Sequence, residues 1–256
     1  MLRPMKTHLT IITGSSRGLG AALAAQRLMP GHTVLGIARQ TNAALQSQAD
    51  AAGLRLEQWP LDLADAAAAA SRLQVWLAGL DGASFSTATL INNAGVVGRL
   101  APLHQMPFAT LSQALRVGLE AALLLSAAFL HATRDWPGAR RVLNISSGLG
   151  RSAMAGSAAY CAAKAGMDHF SRALALEQAA LPNPARVVSM APGVIDTDMQ
   201  AELRASDAVL FPERARFVQL QADGLLASAD DCATRLLARL ERADFGQAAV
   251  ADIRDV

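Results

Sequence analysis

Short apolar runs alternate with helix-length amphipathic stretches along the whole chain. The runs with the length and composition of buried strands are residues 9–12, 33–37, 54–59, 89–91, 141–145, 186–190 and 248–253. The stretches with helical spacing are residues 21–28, 41–52, 65–77, 110–131, 158–180 and 230–241. Strands that alternate with helices indicate a parallel sheet covered by helices on both faces. We therefore predict an α/β fold, a single doubly wound domain over residues 1–256.

Residues 196–227 form the longest stretch outside this alternation. They mix apolar side chains such as Met199 and Leu203 with charged residues and Pro212. Because long segments of this kind on compact folds usually carry function, we predict a lid over a substrate site, with Met199 and Leu203 facing the substrate. The alternative is a helical surface excursion without a role.

The composition limits the classes of function. Hydrophobic residues make up 52% of the chain and aromatic residues only 4%, which favours helices packed on a sheet over an all-β sandwich. The net charge is +2 without a basic run, so we expect no nucleic-acid partner. The two cysteines and five histidines lack metal-ligand spacing, so we expect neither a metal site nor a disulfide framework. The first apolar run is too short for a signal peptide or a membrane span, so the expected location is the cytoplasm.

A glycine-rich turn, Thr13-Gly-Ser-Ser-Arg-Gly-Leu-Gly20, joins the first predicted strand to the first predicted helix. Gly14 permits a tight turn, Gly18 permits close approach of a pyrophosphate, and Gly20 permits close contact between helix and strand. The start of the helix also offers unpaired amides and the positive end of a dipole to an anion. This position between a buried strand and a helix predicts the dinucleotide site of a Rossmann-type fold.

The end of the second predicted strand decides which dinucleotide is bound. NAD sites place a carboxylate about 20 residues after the glycines to hold the ribose hydroxyls, whereas this chain has Ala38-Arg39 there. Arg39 can bind a 2′-phosphate through its planar guanidinium, and Arg17 in the turn supplies a second cation. Either arginine alone is typical of a solvated surface, but the two together predict NADP(H) as the cofactor.

Tyr160, the single tyrosine, and Lys164 lie four residues apart in a predicted helix, so they share a helix face. We expect the Lys164 ammonium and the positive nicotinamide to lower the pKa of the Tyr160 phenol towards neutrality. Such a phenol suits general acid–base work on a carbonyl/alcohol pair. Ser147 follows a predicted strand at the sheet edge where ligands bind, and it can hold the substrate oxygen near Tyr160. Taken singly, these residues are typical of an exposed helix and a turn.

The order and spacing of these motifs resemble those of the short-chain dehydrogenase/reductase family. The motifs are the glycine-rich turn, Asn92-Asn-Ala-Gly95, Ser147, Tyr160-Cys-Ala-Ala-Lys164, and Pro192-Gly193 followed by Thr197. The resemblance covers essentially the whole chain and implies Ser147, Tyr160 and Lys164 as catalytic residues. It also implies a homodimer or homotetramer formed through the helices predicted at 110–131 and 158–180.

The resemblance further implies a set of cofactor-binding residues. Asp62 would bond to the adenine edge, Asn92 would stabilise the central sheet, and Thr197 with the backbone near Ile195 would hold the carboxamide. The full set is Gly14, Ser16, Arg17, Gly18, Leu19, Gly20, Arg39, Asp62, Leu63, Asn92, Ala94, Gly95, Tyr160, Lys164, Pro192, Gly193, Ile195 and Thr197.

One position departs from the pattern of the family. Many members carry an Asn in the helix after Asn-Asn-Ala-Gly, where it kinks the helix around a water that relays protons to the lysine. This chain reads Val117-Gly118-Leu119 there. Glycine supplies no amide side chain, but it permits the same distortion and leaves room for water. We therefore predict that the relay persists through waters.

Within the family, residues 144–148, 159–168, 174–178 and 191–200 are most similar to the sepiapterin reductase and benzil reductase group. Asp252 falls near the place where sepiapterin reductases anchor the pterin with a carboxylate, although a solvated strand-end Asp explains it equally well. The apolar lid suits a ketone with few polar anchors. We predict NADPH-dependent reduction of a ketone, either one carbonyl of an α-diketone or a pterin side-chain ketone. The alternatives are an NADP-dependent secondary-alcohol dehydrogenase and a non-catalytic nucleotide-sensing module.

Overall fold

The computed structural model describes residues 7–255. The strands in this part of the chain are β1 (Thr7–Thr13), β2 (His32–Ala38), β3 (Arg55–Pro60), β4 (Phe85–Asn92), β5 (Ala139–Ile145), β6 (Arg186–Ala191) and β7 (Val250–Asp252). All pair in parallel in one sheet of order β3-β2-β1-β4-β5-β6-β7. The predicted doubly wound α/β fold is confirmed.

The described helices are α1 (Gly18–Arg27), α2 (Ala43–Ala52), α3 (Ala66–Ala78), α4 (Phe108–Leu115), α5 (Ala121–Ala132), α6 (Ala158–Ala179), α7 (Asp198–Ala205), α8 (Arg214–Ala222) and α9 (Ala229–Glu241). Polar side chains cap the N-terminal ends of several of these helices. Asp65 accepts a hydrogen bond from the Ala68 amide at 3.2 Å, as its sequence predicts, and Ser228 accepts from the Asp231 amide at 3.0 Å.

The core has two apolar layers, one on each face of the sheet. On β1, Leu9 and Ile11 face the layer that holds α3 and α5, while Ile12 faces the layer that holds α1 and α9. Successive side chains of a strand point to opposite faces, so a strand that is apolar at nearly every position is buried on both sides. This explains why the strands read as continuous apolar runs.

The helix predicted at 110–131 differs from the expectation in one respect. It runs as α4, then one turn of π-helix at Arg116–Glu120, then α5. By length and composition alone the stretch Phe108–Ala132 is apolar enough to cross a membrane, but half of its most apolar window is buried inside the protein. Leu125 and Phe129 are fully buried, so α5 packs as a core helix.

The stretch 196–227 contains α7 and α8, and its two ends lie next to each other. Ile195 and Ala227 form an isolated parallel bridge. The Asp196 amide donates to the Ala227 carbonyl at 2.9 Å, and the Ala227 amide donates to the Val194 carbonyl at 3.0 Å. Both ends of the segment are therefore fixed beside the end of β6.

Candidate active site

The strand order reverses at β1, which pairs with β2 on one side and with β4 on the other. In doubly wound sheets ligands bind outside the carboxyl ends of the strands at such a point. Thr13, Asn92 and Ile145 end β1, β4 and β5. The glycine-rich turn, the residues after Asn92 and the residues around Ser147 therefore share this edge.

The glycine-rich turn has the conformation that its sequence predicts. Gly14 and Gly18 have φ angles of 68° and 54°, which residues other than glycine rarely adopt. A Cβ atom at Gly20 would lie 2.1 Å from the Gly14 carbonyl oxygen, so only glycine fits there. The turn thus brings bare backbone to the N-terminal end of α1, and this cradle fits the pyrophosphate of a dinucleotide.

Asn93 supports the turn and was missed by sequence analysis. Its Nδ2 donates to the Thr13 carbonyl at 3.0 Å and to the Gly14 carbonyl at 3.3 Å. The hydroxyl of Thr13 accepts from the amides of Asn93 and Ala94 at 2.9 and 3.0 Å. The available signal was its place directly after β4, which neighbours β1, because residues at adjacent strand ends meet.

The predicted phosphate-binding arginines have different surroundings. Arg39 directly follows β2 and is exposed. Arg17 is paired, because its Nη1 donates to Asp198 Oδ2 at 2.8 Å, and Asp198 begins α7. A phosphate that reaches Arg17 therefore competes with this carboxylate.

The remaining predicted residues of the adenosine side are held by local contacts. The Ser16 carbonyl accepts from Asn42 Nδ2 at 3.1 Å, which fixes the turn beside the end of β2. Asp62 is exposed, and its Oδ1 accepts from the Ala64 amide at 2.9 Å. Leu19 and Leu63 are buried in the two apolar layers.

Ser147, Tyr160 and Lys164 meet at the ends of β5 and α6. The Ser147 hydroxyl accepts from the Leu149 amide at 3.2 Å in a short 3₁₀ turn, and it lies close enough to the Tyr160 phenol to act on the pKa of that phenol. The Lys164 Nζ donates to the Ile145 carbonyl at 2.7 Å and lies 5.7 Å from the centre of the Tyr160 ring. The structure therefore brings together all three predicted catalytic residues.

Burial controls the protonation of this group. Tyr160 is partly buried, and this loss of water raises its pKa to about 12, although the neighbouring Ser147 hydroxyl acts in the opposite direction. Burial also lowers the pKa of Lys164 to about 8, and the Asp168 carboxylate opposes that shift. In the protein without nucleotide, the loss of water around the phenol outweighs the other effects on the Tyr160 pKa. The predicted lowering of this pKa by Lys164 together with the nicotinamide stays a prediction. Tyr160 is therefore protonated at neutral pH.

Asn92 lies inside the protein at 2% exposure. Its Nδ2 donates to Asn144 Oδ1 at 2.8 Å and to Ser126 Oγ at 3.0 Å, so it joins β4 to β5 and α5. This placement supports a role in stabilising the sheet. Gly95 faces Lys164, because a Cβ at this glycine would lie 3.6 Å from Nζ.

The segment after β6 approaches the glycine-rich turn. Pro192 and Gly193 end the strand, and Gly193 has a φ angle of 82°. Ile195 is anchored by its bridge to Ala227. The side chain of Thr197 lies 3.5 Å from the position of a Cβ on Gly18. This segment thus packs against the glycine-rich turn, and the cofactor role of Thr197 stays a prediction.

An apolar cluster lies beside Tyr160. Its buried members are Val97, Leu100, Leu203 and Phe211, against which Met154, Tyr160, Met199 and Phe217 pack. Half of this cluster comes from residues 196–227, including both predicted substrate residues, so the predicted lid covers the neighbourhood of the phenol. A pocket between residues 97–114 and 156–160 also reaches Tyr160.

Asp252 is engaged by basic side chains. Arg254 donates to its two carboxylate oxygens at 2.8 and 2.6 Å, and Arg151 Nη2 lies 3.8 Å from Oδ2. The residue is 4% exposed. A carboxylate that is buried and already paired is poorly placed to anchor a substrate, so the structure does not favour the predicted contact.

Gly118 lies in the π-helical turn and is buried against α6. A Cβ here would lie 3.2 Å from the Cβ of Ala163, the residue before Lys164. The helix distortion predicted at this position is present without an Asn side chain. The water relay stays a prediction.

The sequence and the fold are similar to those of known proteins. A family model of short chain dehydrogenases matches residues 8–208. The benzil reductase ((S)-benzoin forming) of Bacillus subtilis strain 168 is 36% identical over 92% of this chain and 94% of that protein. The sepiapterin reductase of Meriones unguiculatus is 33% identical over 96% of this chain and 95% of that protein. A solved metagenomic short-chain oxidoreductase in complex with NADP is 27% identical, with a TM-score of 0.71, and covers 98% of this chain and 96% of that chain. These matches confirm the resemblance predicted from the motifs.

Proposed function

The chain belongs to the short-chain dehydrogenase family, and on this premise we propose that it is an NADPH-dependent carbonyl reductase. The observation that carries the proposal is the convergence of three side chains: the Ser147 hydroxyl lies near the Tyr160 phenol, and the Nζ of buried Lys164 lies 5.7 Å from the centre of the Tyr160 ring. The two hydroxyls offer O–H groups at one point. A carbonyl oxygen that gains negative charge during reduction needs such a pair of donors.

The residues of the chain divide the work of the reaction. NADPH, when bound, supplies the hydride for the carbonyl carbon. Tyr160, protonated because its pKa is about 12, donates its proton to the carbonyl oxygen, while Ser147 donates a hydrogen bond that orients the same oxygen. The ketone gains one hydride and one proton and becomes an alcohol. The phenolate left on Tyr160 is stabilised by the Lys164 ammonium and regains its proton from solvent.

The cofactor preference follows from charge at the end of β2. Exposed Arg39 stands where NAD sites place a carboxylate, so it is available to a 2′-phosphate. The glycine cradle fits the pyrophosphate because Gly20 admits no side chain. Both features support NADPH as the dinucleotide.

The apolar cluster beside Tyr160 supports a substrate with an apolar body. Met199, Leu203 and Phe211 supply this surface from residues 196–227, which we propose as the lid. Because Asp252 is paired with Arg254, the site lacks a free carboxylate there for a pterin. The preferred substrate is therefore one carbonyl of an α-diketone, and a pterin side-chain ketone is the second candidate.

The test is NADPH consumption by the purified protein with benzil, an aliphatic vicinal diketone, sepiapterin and a quinone. We expect turnover of benzil, and rates with NADH that are lower by about tenfold or more, since NADH lacks the phosphate that Arg39 binds. NADPH that binds without turnover of any carbonyl contradicts the proposal and supports a nucleotide-sensing module. Oxidation of a secondary alcohol by NADP⁺ that outpaces ketone reduction at neutral pH supports the dehydrogenase alternative.

We also propose a homo-oligomer formed through the long helices. Leu123 on α5 and Leu176 on α6 are 44% and 76% exposed, so both are available to an interface between copies of the chain. Light scattering after size-exclusion chromatography distinguishes a dimer or tetramer from a monomer. A monomer at micromolar concentration contradicts this assembly.

A further inference from the structure

Asp168 is a buried carboxylate that the proposed reaction does not use. It is 1% exposed and lies on α6, one turn beyond Lys164 and two turns beyond Tyr160, so the three side chains share one helix face. Its Oδ1 accepts from the Ser146 hydroxyl at 2.5 Å and from the Ser189 hydroxyl at 2.7 Å. Burying a carboxylate is costly, so its place next to the reactive residues calls for a reason.

Both flanks of Ser147 lie against this carboxylate, one through a hydrogen bond and the other through close approach and a longer ion pair, because Oδ2 has no hydrogen-bond partner among residues 7–255. On one side Ser146 donates directly to Oδ1. On the other side the chain passes over Oδ2, because a Cβ at Gly150 would lie 2.8 Å from that oxygen. Arg151, the next residue, brings its Nε within 3.7 Å of the same atom. The peptide segment that carries the Ser147 hydroxyl is thus bonded to Asp168 at Ser146 and packs against the same side chain at Gly150.

We propose that Asp168 is a positioning residue that fixes Ser147 relative to Tyr160. Ser147 follows β5 and Tyr160 belongs to α6, so their hydroxyls meet only if strand end and helix keep one relative position. Asp168 links the two elements directly. Arg151 approaches Asp168 from beyond Gly150 and also lies 3.8 Å from Asp252. We call Asp168 with Ser146 and Arg151 the clamp. The proposal rests on the carbonyl-reductase function given above.

The carboxylate has a second effect on the same site through its charge. Asp168 is the charged group that opposes the lowering of the Lys164 pKa. The other groups that face Lys164 are the Tyr160 phenol on α6, the Ile145 carbonyl on β5 and Gly95 beyond β4, none of which is charged at neutral pH. Removal of the Asp168 charge should therefore move the deprotonation of Lys164 to lower pH.

Ser146→Ala and Ser189→Ala form a matched pair that separates positioning from stability. Each removes one hydroxyl from the same oxygen of Asp168, but only Ser146 adjoins Ser147. We expect Ser146→Ala to lower kcat for the ketone about tenfold with the KM for NADPH unchanged, because the loss is one of orientation. Ser189→Ala should keep kcat within about twofold. Equal kcat values in the two variants, with equal loss of thermal stability, would overturn the proposal.

Asp168→Asn tests the charge in the same protein. The pH profile of kcat/KM should show the descending limb of Lys164, near pH 8 in the wild type, displaced to lower pH. Ser146→Ala keeps the carboxylate and should leave that limb in place while kcat falls. An unmoved limb in Asp168→Asn contradicts the electrostatic part of the proposal.

A readout without turnover keeps this inference separate from the proposed function. Tyr160 is the single tyrosine, so ¹³Cζ-labelled tyrosine gives one NMR signal that reports the surroundings of its hydroxyl, including the position of Ser147. We expect this signal to shift in Ser146→Ala and Asp168→Asn and to stay in place in Ser189→Ala. A protein that reduces no carbonyl but shows this pattern refutes the reductase and retains the clamp. A signal that is the same in all four proteins refutes the clamp.

Discussion

The strand-end site and the lid are held together by different kinds of contact. At the strand ends, buried polar groups are joined by hydrogen bonds, such as the contacts of Asp168 and Asn92 with partners on neighbouring elements. The lid, residues 196–227, is held by apolar packing and by an ion pair. Phe211 stacks on Phe217 with ring centres 5.8 Å apart, and the side chains of Arg17 and Asp198 are 65% and 64% exposed.

This difference separates the chemistry from the choice of substrate. Hydrogen bonds between buried groups are directional and costly to break, so they fix Ser147 and Tyr160 in one arrangement. Apolar contacts tolerate other side chains of similar volume, and an exposed ion pair contributes about 0–1 kcal/mol. We infer that the sheet edge sets the reaction, whereas the lid can vary in sequence and open for substrates without disturbing it.

The largest expected effect tests the rigid side of this comparison. Tyr160→Phe removes the proton donor but keeps the ring and its packing, so kcat for ketone reduction should fall by about 10³-fold. Binding of NADPH, followed by its fluorescence, should change by less than about threefold, because the glycine-rich turn and Arg39 supply contacts to the dinucleotide that this change leaves intact. Turnover within tenfold of the wild type would remove Tyr160 from the mechanism.

Substitution of two equally buried phenylalanines, one in the lid and one in the core, tests this comparison. If the lid and the core lose the same stability, the comparison fails. Phe129 and Phe211 are both 0% exposed, but Phe129 packs between α5 and the sheet, whereas Phe211 lies in the lid. Phe129→Ala should lower the free energy of unfolding by about 3–5 kcal/mol. Phe211→Ala should lower it by less than about 1 kcal/mol, because the lid opens locally before the domain unfolds.

Phe211→Ala should show its main effect elsewhere. Hydrogen exchange should rise within residues 196–227, and the KM for an aromatic diketone should increase more than the KM for a small aliphatic one. Denaturant unfolding of both variants gives the comparison. Similar losses of global stability would mean that the lid is part of the cooperative core.

Arg39 refines the comparison between the strand-end site and the lid, because it directly follows a strand of the sheet but is exposed to solvent. Arg39→Asp replaces a cation that binds the 2′-phosphate by an anion that repels it, so the preference for NADPH over NADH should fall by about 10²-fold. Arg55→Asp is the matched control, since Arg55 is an exposed arginine at the opposite end of the neighbouring strand β3. Ratios of kcat/KM for the two dinucleotides measure the effect. An unchanged ratio in Arg39→Asp would show that another group selects the cofactor.

The sequence predicted the strand-end site better than residues 196–227, for physical reasons. The spacing of apolar residues and the glycine or polar residues that end each apolar run are local signals. They placed the strands and the glycine-rich turn correctly. The role of Asn93 was missed because its hydrogen bonds join residues 79 and 80 positions away. The raised pKa of Tyr160 was missed because burial depends on the packed structure rather than on the spacing to Lys164. The helices α7 and α8 were not assigned, since their apolar residues pack against Val97 and Leu100, which lie far away in the sequence.

The smallest expected effect concerns Gly118, where the chain departs from its family. The π-helical turn is already formed with glycine, and a Cβ would lie 3.2 Å from that of Ala163, next to Lys164. Gly118→Asn should therefore lower kcat by about threefold, because the new side chain presses on α6 near the rigid site.

Gly118→Ala, which adds the same Cβ without an amide, should show a similar loss, so that the two variants together separate crowding from proton relay. Steady-state kinetics in light and heavy water measures both. A rise of more than about tenfold in Gly118→Asn alone would show that proton supply limits the natural protein and that the packing at this turn is less rigid than the rest of the strand-end site.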